Sequence, residues 1–577
     1  MSDYLMVASI DFGTAYSGYA FSLTTDFKRD PLLIHSNQNW NAGNAQLMSL
    51  KTPTCILLDK DREIKSFGYE AESEYSQLAE EGTDKQEDYY FFYRFKMILY
   101  DNEKLKHQIL NDVTGKTLAA SEVFAKFIKA LKGHLLTQFI DRGKAIEPHE
   151  IRWVLTVPTI WTDASKQFMR ECAHQAGIDD NKLVIALEPE AASIFCLFQE
   201  NSRASNERSL LNRTGQKYMI IDLGGGTADI TIHERLPEGV DCEYPSLKEL
   251  HHAIGDDCGG TQVDNAFMEV LREILGQKLV KLMKKKQPST YLELLREFET
   301  VKRREIKQKN YIRIPFVTIN ELIEELGQDD IDNKIKMSKY KNQIKRNREK
   351  FCIDAELMKS FFGPTTDRIV SLVKETSKIK AIRDVSLFVL VGGFSECKHV
   401  IRALKEALPN KTFIIPDDPG LSVLKGAVIF GHKSIIESRV MMNSYGTKVF
   451  EPFDPDVHEM SRRKRAGGRF ICPKIFDFIV KKNESVPVGT TIKREYLTDE
   501  PQQCYMDLTM YKSDSEYTEY TDEEGCYRVC KATIDIPNPS DEQRTVEVEY
   551  FFGDTEIRMT AVETDSGESC NTVLKFI

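Results

Sequence analysis

The sequence contains no apolar run long enough to cross a membrane. Its richest stretch, VSLFVLVGGF, stops at two glycines, whereas a membrane-spanning helix needs about 18 or more apolar residues in a row. The first residues, MSDYLMVASIDFG, also lack the basic region and the long apolar core of a secretory signal. We therefore expect a protein with neither a membrane span nor a secretory signal.

Paired cysteines and an excess of positive charge are also lacking. The 12 cysteines form no repeated CxxC pattern, and the closest pair, Cys526 and Cys530, has no second pair or histidine nearby. This argues against a zinc site and indicates reduced thiols, as in a cytoplasmic protein with nuclear access left open. The 78 Lys and Arg residues against 89 Asp and Glu give a net charge of −11, which argues against a general nucleic-acid binder.

The sequence does contain glycine-rich turns beside acidic residues. YMIIDLGGGTADITIHE, residues 218–234, places three glycines between two extended, β-branched runs. It therefore predicts strand–turn–strand, unlike the strand-to-helix loops of P-loop and Rossmann sites. Asp222 and Asp229 stand at its ends. A phosphate bound there would need a cation between it and the carboxylates, and Mg²⁺ commonly arrives with phosphates.

A second turn of the same kind lies near the start, in VASIDFGTAYSGYAFSL. Each turn is followed at some distance by segments with helical periodicity. The repetition predicts two similar lobes that close on a nucleotide, because clefts between domains are common binding sites. A third glycine site, Gly392-Gly393, joins a buried strand to an amphipathic helix that we expect to begin near Ser395.

Two further regions differ from the rest of the chain in composition and residue pattern. Residues 278–348 are highly charged and predict a pair of solvated helices. From about Ser444, short alternating segments are separated by Pro, Gly, Asn and Asp. These segments predict a separate all-β domain of roughly 130 residues.

Five ordered stretches share one pattern with a known family. They are IDFGTAYSGYAF, WVLTVPTIWTDASKQFMRECAHQAGI with LVIALEPEAASIF, IIDLGGGTADITI, GDDCGGTQVDNAF and LVGGFSECKHVI. Together they resemble the motifs of the 70-kDa heat-shock protein family, and within it the divergent branch of 12A/12B-like proteins. The resemblance covers most of residues 5–440. A single GGGT would be weak, but five motifs in order are specific.

The resemblance implies an α/β protein with the actin-like two-lobed ATPase fold, made of duplicated RNase H-like lobes. It places lobe I of the nucleotide-binding domain in residues 1–217 and lobe II in residues 218–440, with a charged upper subdomain at about 250–365. Residues 441–577 would form a short C-terminal β-sandwich-like domain for a substrate or partner, without a helical lid.

The same motifs imply roles for single residues. Asp11 and Asp222 would hold the shell of a Mg²⁺ ion through water, and Glu188 and Asp229 would lie beside the attacking water. Lys96, in FYRFKMILY, matches the catalytic lysine, with a snorkelling lysine as the alternative. The catalytic set is Lys96, Glu188, Asp222, Thr227 and Asp229. The nucleotide-binding set is Asp11, Gly13, Thr14, Ala15, Tyr16, Gly224, Gly225, Gly226, Thr227, Glu299, Lys302, Arg303, Gly392, Gly393, Phe394 and Ser395.

The sequence departs from the family pattern at three places. Glu396 stands where typical members carry a basic residue, and Phe394 replaces a small one, which puts adenine affinity and selectivity in question. ESRVMMNSYGTKVFEP stands in place of the acidic, leucine-rich linker that couples the domains. Lys302 and Arg303 lie in a generally basic helix, for which a solvated face is the alternative interpretation.

The resemblance implies ATP and ADP as ligands with Mg²⁺, and slow hydrolysis of ATP to ADP and phosphate. It also implies chaperone-like binding of protein clients or signalling partners through the C-terminal domain. One alternative is a nucleotide-gated scaffold or adaptor with little turnover, which the replaced linker and the missing lid favour. Another is a small-metabolite kinase on the same fold, which would consume ATP only when its metabolite is supplied.

Overall fold

The computed structural model describes residues 4–37, 40–42, 45–80, 85–100, 105–141, 146–202, 210–237, 244–466, 468–553 and 555–573. The chain divides into two compact units. The larger unit comprises Met1–Asn212, Lys217–Thr231 and Ile254–Lys433, and the smaller comprises Arg213–Gln216, Ile232–Ala253 and Ser434–Ile577.

The first part of the larger unit alternates strands and helices. Its strands are β1 (Met6–Asp11), β2 (Tyr16–Leu23), β3 (His35–Ser36), β4 (Trp40–Ala42), β5 (Ala45–Ser49), β6 (Thr52–Pro53), β7 (Cys55–Leu58), β8 (Ile64–Phe67), β9 (Tyr90–Tyr93), β10 (Ile109–Asn111), β11 (Thr117–Ala119), β12 (Ile151–Val157) and β13 (Leu183–Leu187). Its helices are α1 (Thr24–Arg29), α2 (Gly68–Glu80), α3 (Ala120–Asp141), α4 (Asp163–Gln175) and α5 (Glu188–Ser202).

The main sheet of this part has β1 at its centre. Its order is β13-β12-β1-β2-β3, with β1 parallel to β12 and antiparallel to β2. All six residues of β1 are buried, as expected for a strand covered on both faces. The register sets Asp11 beside Thr156, so polar side chains collect at the carboxyl end of β1.

The chain continues with eight strands and eight helices up to residue 432. The strands are β14 (Lys217–Leu223), β15 (Ala228–Arg235), β16 (Leu247–Asp256), β17 (Lys309–Arg313), β18 (Ile344–Asn347), β19 (Lys350–Asp354), β20 (Leu387–Val391) and β21 (Thr412–Ile414). The helices are α6 (Gly260–Leu275), α7 (Gln277–Lys286), α8 (Pro288–Lys302), α9 (Phe316–Glu325), α10 (Ile331–Met337), α11 (Ala355–Lys378), α12 (Lys398–Ala407) and α13 (Ser422–His432).

The sheet built on β14 repeats the plan of the first. Its strands follow the order β21-β20-β14-β15, with β14 parallel to β20 and β20 parallel to β21. The register sets Asp222 beside Val391, which leads directly into Gly392. An acidic residue therefore lies at the end of β1 and next to the end of β14, as the repeated sequence pattern predicts.

Helices α5 and α13 pack against each other in the larger unit. A Cβ atom at Gly426 would lie 1.7 Å from the carbonyl oxygen of Ala191, so the backbones meet where one helix carries no side chain. This close packing supports the start of α5, where Glu188 lies.

Two local expectations differ from the structure. The charged region is more than a pair of helices. It holds four helices, α7 to α10, and two strands, β17 and β18, which pair with the following β19 in a three-stranded sheet in the order β17-β19-β18. The buried Ile312, Phe351 and Ile353 of this sheet need a common core. The helix after Gly392-Gly393 begins at Lys398, because Gly393–Glu396 form a short 3-10 helix that ends before α12.

The smaller unit is almost entirely β. After β22 (Ile436–Val440), it forms β23 (Ser444–Pro452), β24 (Lys464–Ala466), β25 (Arg469–Val480), β26 (Ser485–Pro487), β27 (Thr490–Leu497), β28 (Tyr505–Ser513), β29 (Cys526–Asp535), β30 (Thr545–Phe552), β31 (Ile557–Glu563) and β32 (Ser569–Val573). One sheet has the order β24-β25-β23-β28-β29 and another β27-β30-β31-β32. Their alternating apolar residues form one core that includes Val480, Met510, Val546, Val548 and Ala561.

No helix in the described ranges is both long enough and apolar enough to span a membrane.

Candidate functional site

The turn between β1 and β2 is held by the chain that follows β6. The Thr54 hydroxyl donates to the Gly13 carbonyl at 2.7 Å, and the Thr54 N–H donates to the Ala15 carbonyl at 3.0 Å. The Gly13 N–H donates to Ser17 Oγ at 3.1 Å. Among the described residues, no acceptor bonds the N–H groups of Thr14 and Ala15. These two amides are open donors.

The turn between β14 and β15 is held by the start of α6. The N–H groups of residues 259–261 donate to the three carbonyls of residues 224–226 at 2.8–3.1 Å. The amides of Gly225 and Gly226 have no acceptor within the described part of the chain. A Cβ atom at Gly226 would lie 2.5 Å from Thr14 Oγ1. The two turns therefore touch, and together they present four open amides.

Asp11, at the end of β1, has a cationic partner. Its carboxylate lies 2.5 Å from Lys51 Nζ and accepts a 3.1 Å hydrogen bond from the Thr156 hydroxyl. Burial by itself raises the pKa of this carboxyl, but the charge and the hydrogen bond of Lys51 bring it below its usual value. Asp11 is therefore ionised and already neutralised by a lysine.

Asp222, at the end of β14, has no such partner. It is buried, and its carboxylate accepts no hydrogen bond from any side chain or amide in the described ranges. Burial raises its pKa well above the usual value, and the nearby charges of Glu188, Asp229 and Asp11 raise it further. A cation bound beside Asp222 would relieve this unfavourable environment.

Glu188 and Lys96 form a buried ion pair. Lys96 Nζ lies 2.8 Å from Glu188 Oε1 and 4.9 Å from the centre of the Trp161 ring. Burial raises the pKa of Glu188 to about 7 despite the opposing charge of Lys96. The lysine is therefore not a snorkelling side chain, because its ammonium group is buried against a carboxylate.

Asp229, in β15, is a hydrogen-bonded carboxylate. It accepts bonds from the Thr159 N–H at 2.9 Å, the Thr159 hydroxyl at 2.5 Å and the Ile160 N–H at 3.3 Å. Burial raises its pKa, and these hydrogen bonds oppose the increase. The loop after β12 therefore fixes the orientation of Asp229.

The last turn of α8 supplies a network of ion pairs. Lys302 Nζ is buried and lies 2.6 Å from Asp264 and 2.5 Å from Glu299. Arg94, two residues before Lys96 in the sequence, reaches the same Asp264 at 2.9 Å. A solvated basic face is therefore wrong for Lys302, whose side chain is enclosed by acidic partners.

The third glycine site adjoins this network, with Lys302 Nζ 5.9 Å from the centre of the Phe394 ring. Gly392 has φ of 83°, and a Cβ atom there would lie 2.2 Å from Asp222 Oδ1, so both its conformation and its space require glycine. Ser395 is buried and donates to the Gly392 carbonyl at 2.7 Å. Glu396, the departure from the family pattern, lies 2.6 Å from Arg303 Nη1.

A cavity of about 560 Å³ brings these groups together. Most of the predicted residues line it, namely Asp11, Gly13, Thr14, Ala15, Tyr16, Lys96, Glu188, Asp222, Gly224, Gly225, Gly226, Thr227, Glu299, Lys302, Arg303, Gly392, Gly393 and Phe394. Asp229 and Ser395 do not line this cavity. Ser395 braces the Gly392 turn, and Asp229 is held by Thr159.

Several residues that no sequence motif indicates also line the cavity, including Lys51, Tyr69, Arg296, Asp417 and Asp418. Lys51 lies in the polar stretch SLKTPT, which has no local pattern typical of a binding site. It reaches Asp11 only because β6 pairs with β2. A sequence pattern therefore offers no signal for it.

The residues present fit a Mg²⁺-bound nucleotide. In the described ranges, no group of three or more His, Cys, Asp or Glu side chains is placed to hold a metal directly. Mg²⁺ does not require such a cage, since it keeps several waters and takes phosphate oxygens as ligands. Four open amides suit phosphate oxygens, and the carboxylate of Asp222 suits the water shell of a cation.

Known proteins that are similar to this chain belong to the 70-kDa heat-shock protein family. The family model described as Hsp70 protein matches residues 84–440. Heat shock 70 kDa protein 12A of Mus musculus is 30% identical over 100% of this chain and 92% of its own length. Heat shock 70 kDa protein 12B of Homo sapiens is also 30% identical, with the same coverage.

A more distant relative covers only part of the chain. Chaperone protein dnaK of Cyanidium caldarium is 25% identical over 59% of this chain and 49% of its own length. Its match is thus limited to part of both proteins, whereas the 12A and 12B proteins match this chain from end to end.

Proposed function

The chain belongs to the Hsp70 protein family and is an ATP-binding protein of that kind, and on this premise we propose that it hydrolyses Mg²⁺-bound ATP slowly to ADP and phosphate. One observation carries the proposal: two touching turns present four open amides beside the buried carboxylates of Asp11, Glu188, Asp222 and Asp229. Phosphoryl transfer depends mainly on positioning and charge neutralisation, which such an arrangement supplies.

The two turns hold the phosphates in this proposal. The amides of Thr14, Ala15, Gly225 and Gly226 donate to phosphate oxygens, and the Thr227 hydroxyl lies in the same wall of the cavity. Asp222, with Asp11, would hold the water shell of Mg²⁺. When bound, Mg²⁺ would supply positive charge that neutralises the phosphates.

Glu188 acts on the attacking water in this proposal, and Asp229 supports the site from behind the cavity wall. The ionised Glu188 carboxylate accepts a hydrogen bond from the water and thereby orients it. Lys96 keeps Glu188 in place and adds positive charge near the reacting phosphate. Asp229, fixed by Thr159, supports the arrangement from behind the cavity wall. This role for Asp229 is a positioning one.

The nucleoside lies at the other end of the cavity in this proposal. Glu299, Lys302 and Arg303 contact it from α8, and residues 392–395 form its floor. The ion pairs within α8 support this assignment, because they hold the side chains at the cavity wall.

We also propose that the C-terminal β unit binds protein clients or signalling partners. Ten of the nineteen large apolar side chains that are exposed in the described ranges belong to this smaller unit, among them Phe450, Val457, Phe470 and Tyr517. If these side chains form a contiguous patch, that patch would be the contact surface. The cytoplasmic location and the domain limits at residues 217 and 440 stay predictions.

Single-turnover hydrolysis of ATP with Mg²⁺ tests the proposed activity. Glu188→Gln should slow the chemical step by 10- to 100-fold while ATP binding measured by calorimetry stays within about threefold. The variant keeps the side-chain volume but removes the orienting charge and the ion pair with Lys96. Glu375→Gln, in an exposed pair with Lys378, is the matched control and should behave as wild type. Tight binding without turnover in wild type would instead favour the adaptor.

The pH profile gives a second test of Glu188. Because its pKa is raised to about 7, kcat/KM should rise as the pH increases through that value and the carboxylate ionises. The Glu188→Gln profile should be flat in this range. An unchanged profile in the variant would assign the titration to another group.

A further inference from the structure

We propose that Lys51 is a phosphate-binding residue of this site, and that its ammonium group exchanges Asp11 for a nucleotide phosphate when nucleotide binds. The inference deepens the proposed function and rests on it, because the partner of Lys51 is the nucleotide itself. It adds a cationic residue that no motif in the sequence indicates.

Strand pairing delivers Lys51 to the cavity. Lys51 directly precedes β6, in which Thr52 pairs with Ser17 of β2. Gly18 is the next residue of β2 and pairs with Asp11 in β1. A Cβ atom at Gly18 would lie only 3.2 Å from Lys51 Cγ. The lysine stem therefore crosses the sheet over a glycine, and its ammonium group ends at Asp11.

The two lysines of the phosphate end differ in their environment. The side chain of Lys96 is 2% exposed and is enclosed by Glu188 and Trp161, whereas that of Lys51 is 19% exposed and lines the cavity. Lys51 therefore has room to move its ammonium group by a rotamer change, while Lys96 does not. Lysine suits such an exchange because its charge sits on a flexible stem.

The exchange leaves no buried charge without a partner. Asp11 keeps the hydrogen bond from the Thr156 hydroxyl at 3.1 Å and gains access to the water shell of Mg²⁺. Lys51 replaces one charge-assisted hydrogen bond to a carboxylate by another to a phosphate. Three carboxylates, those of Asp11, Glu188 and Asp222, and two lysines, Lys51 and Lys96, line this end of the cavity. An incoming polyphosphate adds further negative charge, so a lysine that can reach it stabilises the bound state.

The test is calorimetric titration of the full chain with ADP, in MgCl₂ and in EDTA. In EDTA, Lys51→Met should weaken ADP binding by about 10- to 100-fold, the range expected for a charged hydrogen bond. In MgCl₂ the loss should be under about fivefold, because the metal neutralises the same phosphates. Lys51→Arg should restore most of the affinity in EDTA, since it keeps the charge.

The matched control is Lys217→Met, which removes the lysine of a Lys–Asp pair (2.7 Å to Asp384) that does not line the cavity. It should leave both affinities unchanged. Equal losses for Lys51→Met in EDTA and in MgCl₂, or a lower melting temperature with no change in either affinity, would overturn the inference and make Lys51 structural. No binding of ADP by wild type would overturn the proposed function, and with it the inference. These failures are distinguishable in one set of titrations.

Discussion

The two glycine turns have the same sequence plan but different electrostatic environments. Both follow a buried central strand with an aspartate at or next to its end, and both lead into a second strand. Asp11 has Lys51 and Thr156 as partners, and its pKa is lowered. Asp222 has no hydrogen-bond donor in the described ranges, and its pKa is raised.

This difference indicates a division of roles within one duplicated motif. A carboxylate that already has a lysine gains little from a metal, whereas a buried carboxylate without a partner gains much. We therefore expect Asp222 to dominate the response to Mg²⁺, and the Asp11 turn to contribute a cation of its own through Lys51.

The largest expected effect is on Mg²⁺-dependent affinity. Asp222→Asn should weaken Mg²⁺–ATP binding by about 100-fold, the loss of roughly 2.7 kcal/mol, with little change in EDTA. Asp11→Asn should cost about tenfold or less with Mg²⁺ and should tighten binding in EDTA, because Lys51 is released for phosphate. Calorimetry of the two variants measures both ratios. Equal losses of Mg²⁺–ATP affinity in the two variants would contradict the proposed difference in role between Asp222 and Asp11.

The next largest effect is the loss of stability when a turn glycine is replaced by alanine. A Cβ atom at Gly13 would lie 2.0 Å from the Tyr16 carbonyl oxygen, whereas one at Gly224 would lie 3.3 Å from the equivalent Thr227 oxygen. Gly13→Ala should therefore destabilise the fold by about 2–3 kcal/mol, and Gly224→Ala by under about 1 kcal/mol. Denaturant unfolding of both variants tests this order. A larger loss for Gly224→Ala would contradict the tighter packing of the first turn.

Without nucleotide, the two aspartates should affect stability with opposite sign. The raised pKa of Asp222 means that its charged form destabilises the fold as the pH increases above its usual value of 3.8. Asp222→Asn should therefore increase the free energy of unfolding at pH 7, by about 1–2 kcal/mol, and this gain should shrink as the pH approaches 3.8.

Asp11 should behave in the opposite way. Because its pKa is lowered, it contributes stability at pH values above its usual pKa, and this stability is lost as the pH falls. Asp11→Asn should destabilise at pH 7 by about 1–2 kcal/mol. Melting temperatures of both variants, measured as a function of pH, test these changes. If Asp222→Asn and Asp11→Asn shift the melting temperature at pH 7 in the same direction, the two aspartates do not differ in the proposed way.

The smallest effect is expected outside both turns. Arg303 and Glu396 form an ion pair at 2.6 Å, but their side chains are 36% and 40% exposed, and exposed pairs contribute about 1 kcal/mol or less. Glu396→Gln should change ATP affinity by less than about threefold, with a difference that shrinks further at high salt. A tenfold change, or a switch in preference between ATP and GTP, would mean that Glu396 contacts the base.

The predicted family and fold are confirmed. The Hsp70 match over residues 84–440 and the 30% identity with the 12A and 12B proteins support the family and its divergent branch. The structure contains two similar sheets, each with an aspartate at or next to the end of its central strand, and a β unit after them. The resemblance of the five ordered motifs implies the family and the two-lobed ATPase fold. The positions of the strands and turns within those motifs could be predicted from the residues themselves, because strand periodicity and glycine turns are local properties of the chain. The roles of the individual site residues stay predictions.

Local patterns failed where a contact crosses long distances in sequence. The charged region contains a small sheet whose strands, at residues 309–313 and 350–354, are far apart in the chain. Likewise, the partners of Asp264 are Arg94 and Lys302, which lie 170 and 38 residues away from it. The periodicity of charged or apolar residues along the chain does not predict pairs that are so far apart in sequence.

The sequence by itself determined that two aspartate–glycine turns would stand at the ends of buried strands, because strand and turn propensities act over a few residues. Only the tertiary structure decided which aspartate carries a cation. Lys51 lies 40 residues from Asp11 and Thr156 lies 145 residues away, and the pairing of β2 with β6 and of β1 with β12 brings them together. Electrostatic interactions depend on distance in space and on burial, and neither is a property of a short sequence.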